Sequence, residues 1–255
     1  MKQILQSLKN GETLLVECPS PQIQEGSVLI KSNKSLVSKG TEGMLIGFGK
    51  SGLINKIKSQ PEKVNQVIKK VKTDGLINTT KAVLNKLSEP LPLGYCNVGT
   101  IIDISPDVAE FKIGDRVISN GPHAEVVNVK KNLVSKIPEN VSDEAAAFTV
   151  IGAIGLQGIR LIKPKIGETV VVFGLGLIGL LSVQILRANG CRVIGIDIDE
   201  SKCELAKKYG ATVINPIHEN PVKAILSHTN NFGSDSVLIT ASSKNNDIIL
   251  QASEM

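Results

Sequence analysis

Gly174-Leu175-Gly176-Leu177-Ile178-Gly179 sets three glycines at the G-x-G-x-x-G spacing that lets a backbone turn tightly beside a bulky anion. Gly174 permits the turn, Gly176 lets the chain approach a pyrophosphate, and Gly179 lets the next helix pack closely on a sheet. The spacing alone is common, and its context makes it specific. The apolar run TVVVFG (169–174) leads into it, the amphipathic stretch IGLLSVQILRANG (178–190) leaves it, and a second apolar run, CRVIGID (191–197), ends on Asp197. In such a βαβ unit the free N–H groups and positive dipole end of the helix face the phosphates. Asp197, eighteen residues after Gly179, stands where a carboxylate accepts hydrogen bonds from the adenosine ribose. It would repel a 2′-phosphate, so NAD(H) is expected rather than NADP(H). Leu175, Leu177 and Ile178 complete the cofactor turn, and Thr240, at the end of the later run SVLITA, is counted with it. The alternative to this pattern is a Rossmann-like sheet with an empty or different nucleotide site.

The elements that must position this turn alternate in type. Ser142 is a plausible N-cap for a helix running to about Ile162, where Lys163-Pro164 stops it. Strand TVVVFG, helix 178–190, strand CRVIGID, helix ESKCELAKKYG (200–210), strand ATVIN, a further helix and strand SVLITA follow. This alternation builds a parallel sheet with right-handed crossovers. The first half reads differently. TLLVEC, SVLIKSN, VGTIIDIS, DRVIS and AEVVNV are short β-branched runs separated by breakers such as PSPQIQEG. Between them, residues 50–87 carry apolar positions at helical spacing, Gly75 dividing two helices, and nine lysines against Glu62 and Asp74. That charge reads as a solvated helical face, or as a surface for a phosphate-bearing substrate or acidic partner. It lacks aromatic residues for base stacking, so nucleic acid is not an expected partner.

At 255 residues the chain can bury one large core or two modest ones. Aromatics at 3% against 42% hydrophobic residues suit an aliphatic α/β protein better than an aromatic all-β core. Cys18, Cys96, Cys191 and Cys203 are scattered, which argues against a disulfide framework or a Cys-rich zinc knuckle. The first residues contain no signal-peptide apolar core, and no stretch approaches a membrane-spanning length. A cytoplasmic location without a membrane partner is expected.

The signatures VLIKSNKSLVSKGTE, LGYCNVGTIIDISPDVAEFKIGDRVI, HAEVVNVKKNLVSKIPENVSDEAAAF and VVVFGLGLIG, spanning most of residues 28–240, resemble the medium-chain dehydrogenase/reductase superfamily, the relatives of zinc alcohol dehydrogenase. The resemblance implies an α/β fold class: a GroES-like β-rich domain followed by an incomplete Rossmann doubly wound parallel sheet. The expected domains are 1–141, with the Lys-rich helical insertion at about 44–89, and 142–255. The insertion and the LPLGY segment look most like the dehydrogenase half of bi-domain oxidoreductases, in which a Gfo/Idh/MocA-type domain follows. The chain stops in the helix after the fourth Rossmann strand, so C-terminal truncation is expected, with a homodimer only where the further strands are present.

The departures from the resemblance carry as much information. Catalytic zinc in these relatives needs a Cys, a His and a later Cys or Glu, and the matching positions here read Ser38, Tyr95 and Val150. A hydroxyl, a phenol and an isopropyl group do not make a normal zinc site, and the four-cysteine structural lobe is absent. No metal is expected. By the same resemblance Lys39 matches a residue on the cofactor pyrophosphate, Lys202 one beside the adenosine ribose, and Gly40 takes the place of a proton-relay hydroxyl. Without zinc, a side chain must polarise the substrate oxygen or move its proton. Tyr95 is the first candidate, since it replaces a ligand and should point into the interdomain cleft. Ser38 and Thr41 could hold a substrate hydroxyl. His123 ranks below them, because HAEVV usually introduces a structural strand, and His218 and His228 read as surface. The expected function is a zinc-independent, NAD(H)-dependent oxidoreductase acting on a small alcohol or carbonyl, including sugars and nucleotide-sugars. The alternatives are an NADPH quinone or enoyl reductase and a catalytically idle nucleotide-binding module.

Overall fold

The computed structural model describes residues 1–52, 85, 88–243 and 246–255. The two helices expected within 50–87, and most of the insertion placed at 44–89, lie outside the described residues. The chain divides into two compact units, Met1–Val150 and Ile151–Met255.

The first unit is antiparallel. β1 (Lys2–Gln6) pairs with β2 (Thr13–Glu17) and with the short β4 (Leu91–Pro92). A five-stranded sheet follows the order β7-β3-β5-β6-β8, built from β3 (Ser27–Ser35), β5 (Asn97–Ile104), β6 (Arg116–Ser119), β7 (Val126–Lys130) and β8 (Val134–Lys136). Its core takes Val28 and Ile30 from β3, Ile101, Val117, Val127 and Val129, the side chains that the period of two sends to one face. Gly99 on β5 is required by this packing, since a Cβ there would lie 2.2 Å from the Lys31 carbonyl oxygen. α1 (Lys39–Lys50) leaves the end of β3. It begins five residues before the expected insertion.

The second unit is parallel and doubly wound. β9 (Thr169–Phe173), α4 (Leu177–Ala188), β10 (Arg192–Ile196), α5 (Glu200–Lys208), β11 (Thr212–Ile214), α6 (Pro221–His228), β12 (Ser236–Ile239) and α7 (Asp247–Ser253) alternate as the sequence predicts. The sheet order is β11-β10-β9-β12, so β9 and β12 flank the point where the winding reverses. β9 is apolar from Val170 to Phe173 because both its faces are buried: Val170 and Val172 pack with Val183 and Leu186 on one side, Val171 and Phe173 with Ile194, Ile196 and Ile225 on the other. No helix among the described residues is long and apolar enough to cross a membrane.

One expected helix, Ser142 to about Ile162, is two: α2 (Asp143–Ala146) and α3 (Thr149–Ile162). Ser142 caps α2 as expected, its Oγ accepting the Ala145 N–H at 3.2 Å. The Phe148 N–H then bonds the Ala145 carbonyl, a tight i−3 closure that ends the first helix. Ala146 and Ala147 fill a cluster with Val98, Ile118 and Ile137, and Val150 packs beside them. This is why residues 142–150 join the first unit, although the sequence division placed them with the second.

Arg116 fastens α2 to the sheet. Its Nη2 lies 2.6 Å from Asp143 Oδ1 and 2.9 Å from the Val141 carbonyl, while Asn33 donates to Asp143 Oδ2. The Arg116 guanidinium holds the Asp143 carboxyl below the usual carboxylate range. Because the folded-state value is depressed, the pair stabilises above the unfolded pKa and loses its contribution as pH falls through the folded value. With the arginine partly exposed, that contribution is about 1 kcal/mol. In urea unfolding, Asp143→Asn should be less stable than wild type by about that much at neutral pH. The gap should begin to close below about pH 4.

Candidate functional site

The glycine turn is built from backbone. Gly174 has φ +98, its N–H bonds the Ile196 carbonyl at 2.7 Å, and α4 starts three residues later with Gly176 as its N-cap. A Cβ on Gly179 would sit 1.9 Å from the Gly174 carbonyl oxygen, whereas one on Gly176 would meet nothing within 4 Å. The first glycine of the helix therefore faces open space, and the second is locked against the turn. Thr240 Oγ1 donates to that same Gly174 carbonyl at 2.6 Å, so its hydroxyl holds the turn from the end of β12. Leu175 is fully buried and packs on Gly195, offering only its backbone to a ligand. Leu177 and Ile178 stand half-buried in the first turn of α4, where N–H groups lack intrahelical partners.

Asp197 closes the other side. Its Oδ2 accepts the Leu175 N–H at 2.7 Å and its Oδ1 the Asp199 N–H at 2.9 Å. Lys202 Nζ lies 3.6 Å from Asp197 Oδ1 and from an Asp199 oxygen. Asp199 caps α5 through Ser201, whose hydroxyl keeps its carboxyl below the usual range. Beneath, Cys203 Sγ donates to the Asp197 carbonyl, and burial pushes that thiol up, so it stays protonated. The carboxylate expected to read a ribose is thus fixed by the turn it accompanies. The open Gly176 approach, the unpaired helix N–H groups and this acid together fit a dinucleotide.

In the first unit the expected residues converge only partly. Tyr95 is half-buried and its hydroxyl donates to Thr41 Oγ1 at 3.4 Å, a long contact. Ser38 is buried at the N-cap of α1, but its side chain makes no cap bond. Lys39 is exposed at the first helical position, and Val150 lies in the apolar cluster described above. His218 is exposed beside Glu200, and His228 is exposed at the end of α6.

Sequence reasoning missed one deeply buried polar pair. Glu42, in the first turn of α1, accepts the Ser38 N–H on Oε1 at 2.7 Å, and its Oε2 lies 3.0 Å from His123 Nε2. His123 Nδ1 reaches Ser35 Oγ at 2.8 Å. Both side chains are almost wholly buried, at 6% and 3% exposure for His123 and Glu42. Gly94, with φ +93, makes room for the ring: a Cβ there would lie 2.5 Å from it. Glu42 offered a signal, as a carboxyl in a Gly-rich apolar helix that needs a donor. Its partner, eighty-one residues away, did not.

The family described as zinc-binding dehydrogenase matches residues 178–253. D-guloside 3-dehydrogenase of Escherichia coli is 33% identical over 154 residues, covering 58% of this chain and 44% of that protein. An alcohol dehydrogenase of Geobacillus stearothermophilus is 27% identical over 235 residues, 77% of this chain and 69% of that protein. The structure of an alcohol dehydrogenase from Thermus sp. ATN1 superposes with TM-score 0.77 at 20% identity, covering all of this chain and 74% of the other. Residues 178–253 thus match the zinc-binding dehydrogenase family, and the described chain shares the fold of the solved alcohol dehydrogenase. The chain spans less than half the length of the guloside dehydrogenase that it matches.

Ser38, Tyr95 and Val150, the residues that the sequence resemblance matched to zinc ligands, carry no thiolate, imidazole or carboxylate, and among the described residues no group of three His, Cys, Asp or Glu side chains could hold a metal ion. The glycine and histidine geometries each give a stability test. Gly176→Ala should stay within about 0.5 kcal/mol of wild type, while Gly179→Ala should cost about 2 kcal/mol, because the obstacle is backbone. His123→Ala leaves a buried carboxyl oxygen without its donor and should cost about 3 kcal/mol by chemical denaturation. His123→Leu with Glu42→Leu should recover much of that loss.

Proposed function

We propose that the chain is a zinc-independent, NAD(H)-linked oxidoreductase acting on a small alcohol or carbonyl, with sugars and nucleotide-sugars the first class to test. The carrying observation is the glycine turn with Asp197 hydrogen-bonded to its Leu175 N–H. Nicotinamide, when bound, supplies the hydride chemistry. The turn holds the dinucleotide through backbone N–H groups, and Asp197 with Lys202 orients the adenosine ribose. Lys39 adds charge for the pyrophosphate. Tyr95 moves the proton at the substrate oxygen, with Thr41 aligning its hydroxyl, and Ser38 steadies the substrate. The sugar class is supported by the relative named for a guloside. Zinc independence is supported by the hydroxyl, phenol and isopropyl groups at the ligand positions, which are poor Zn²⁺ donors.

The test is a panel of sugar, ketone and aldehyde substrates assayed by loss of NADH absorbance, with metal content measured on the same preparation. Turnover without stoichiometric zinc is expected, and one zinc per chain would contradict it. Tyr95→Phe should lower kcat about 100-fold while leaving NADH affinity unchanged. Asp197→Ala should weaken NADH about tenfold. Complete inactivity across the panel with intact NADH binding would point instead to a nucleotide-binding module.

A further inference from the structure

The parallel sheet has a second, unassigned end. At the N-terminal edge of the strands, away from the glycine turn, lies a cavity of about 170 Å³. It is lined by the first residue of each of three neighbouring strands: Thr169 of β9, Arg192 of β10 and Thr212 of β11. Arg187 from the last turn of α4, Gly210, His228 from the end of α6 and the apolar Val193 and Ile194 complete the wall. No carboxylate lines it.

The cations here are not already neutralised. Arg187 is held in place, its Nη1 donating to the Cys191 carbonyl at 3.1 Å and its Nε beside Gly210. Neither Arg187 nor Arg192 forms an ion pair among the described residues, in contrast to Arg116. Two acids at this edge accept backbone N–H groups: Asp235 Oδ2 that of the lining residue Thr169, and Glu168 Oε2 that of Lys165. Helix C-termini favour nearby cations whatever the ligand, which accounts for Arg187 and His228. It does not account for Arg192, which starts a strand, nor for Thr169, its register partner on β9. Two guanidiniums, an imidazole and two hydroxyls around one small cavity match a tetrahedral oxyanion, for which arginine's planar fork is well suited.

We propose that this cavity binds a phosphate group, as free phosphate or as the phosphomonoester of a small metabolite, at a site separate from the dinucleotide turn. The test is an amide NMR titration of the full chain with inorganic phosphate, replacing chloride at constant ionic strength so that screening stays fixed. Saturable shifts are expected at Thr169, Arg192 and Thr212. Arg192→Gln, a change at an exposed side chain, should weaken binding at least about tenfold with the rest of the spectrum intact. Arg187→Lys, which keeps the charge, should weaken it less. A parallel titration with a hexose phosphate separates the sources: tighter binding than phosphate identifies a metabolite, and equal binding identifies the free ion. Absence of saturation, shifts confined to residues 175–178, or undiminished binding in Arg192→Gln would each overturn the proposal.

Discussion

Helix α4 leaves the end of β9 so closely that no side chain fits at Gly179, where a Cβ would lie 1.9 Å from the Gly174 carbonyl oxygen. Much of the second unit follows from that approach. The carbonyl pinned under Gly179 also receives the Thr240 hydroxyl, which ties β12 to β9 across the reversal of the winding. The Leu175 N–H, turned outward by Gly174, is captured by Asp197 at the end of β10. One contact thus couples three strands to the start of one helix. It leaves Gly176 facing open space, which is what a backbone-bound pyrophosphate requires.

The first unit depends on a different economy. It buries a carboxyl and an imidazole together, Glu42 and His123, where a lone buried carboxylate would be unstable. Each oxygen of Glu42 has a donor, one from the Ser38 backbone and one from the imidazole, and Ser35 occupies the second ring nitrogen. This fully partnered network fixes the start of α1, and with it Ser38, Lys39 and Thr41. A polar cluster with every group satisfied can specify a single arrangement, where a half-satisfied one would not.

How much of this was legible depended on range. The strand and helix alternation after residue 169 could be read to within two residues, because β9 and β10 run apolar after their first residues and Gly190 and Gly210 end their helices. The turn was legible for the same reason, since its chemistry is local. β1 went unread: its residues KQILQ carry no strong period, and pairing with β2 and β4 makes it a strand. The break between α2 and α3 was hidden by good helix formers on both sides and is set by packing of Ala146 and Ala147. At the site, the contact between Tyr95 and Thr41 was not legible, and the placement of Thr240 as a clamp on the turn depends on a contact sixty-six residues away. The His123–Glu42 pair is more distant still. Sequence patterns carry local chemistry well, and they carry pairings made by the fold poorly.

The assignment of Asp197 as the ribose-reading acid is the claim on which the cofactor turns. Parallel fluorescence titrations of the wild-type chain with NADH and NADPH test it directly. A carboxylate held against the turn by the Leu175 and Asp199 N–H groups should repel a 2′-phosphate, so NADH should bind at least about tenfold more tightly. NADPH binding as tightly as NADH, or more tightly, would contradict the assignment.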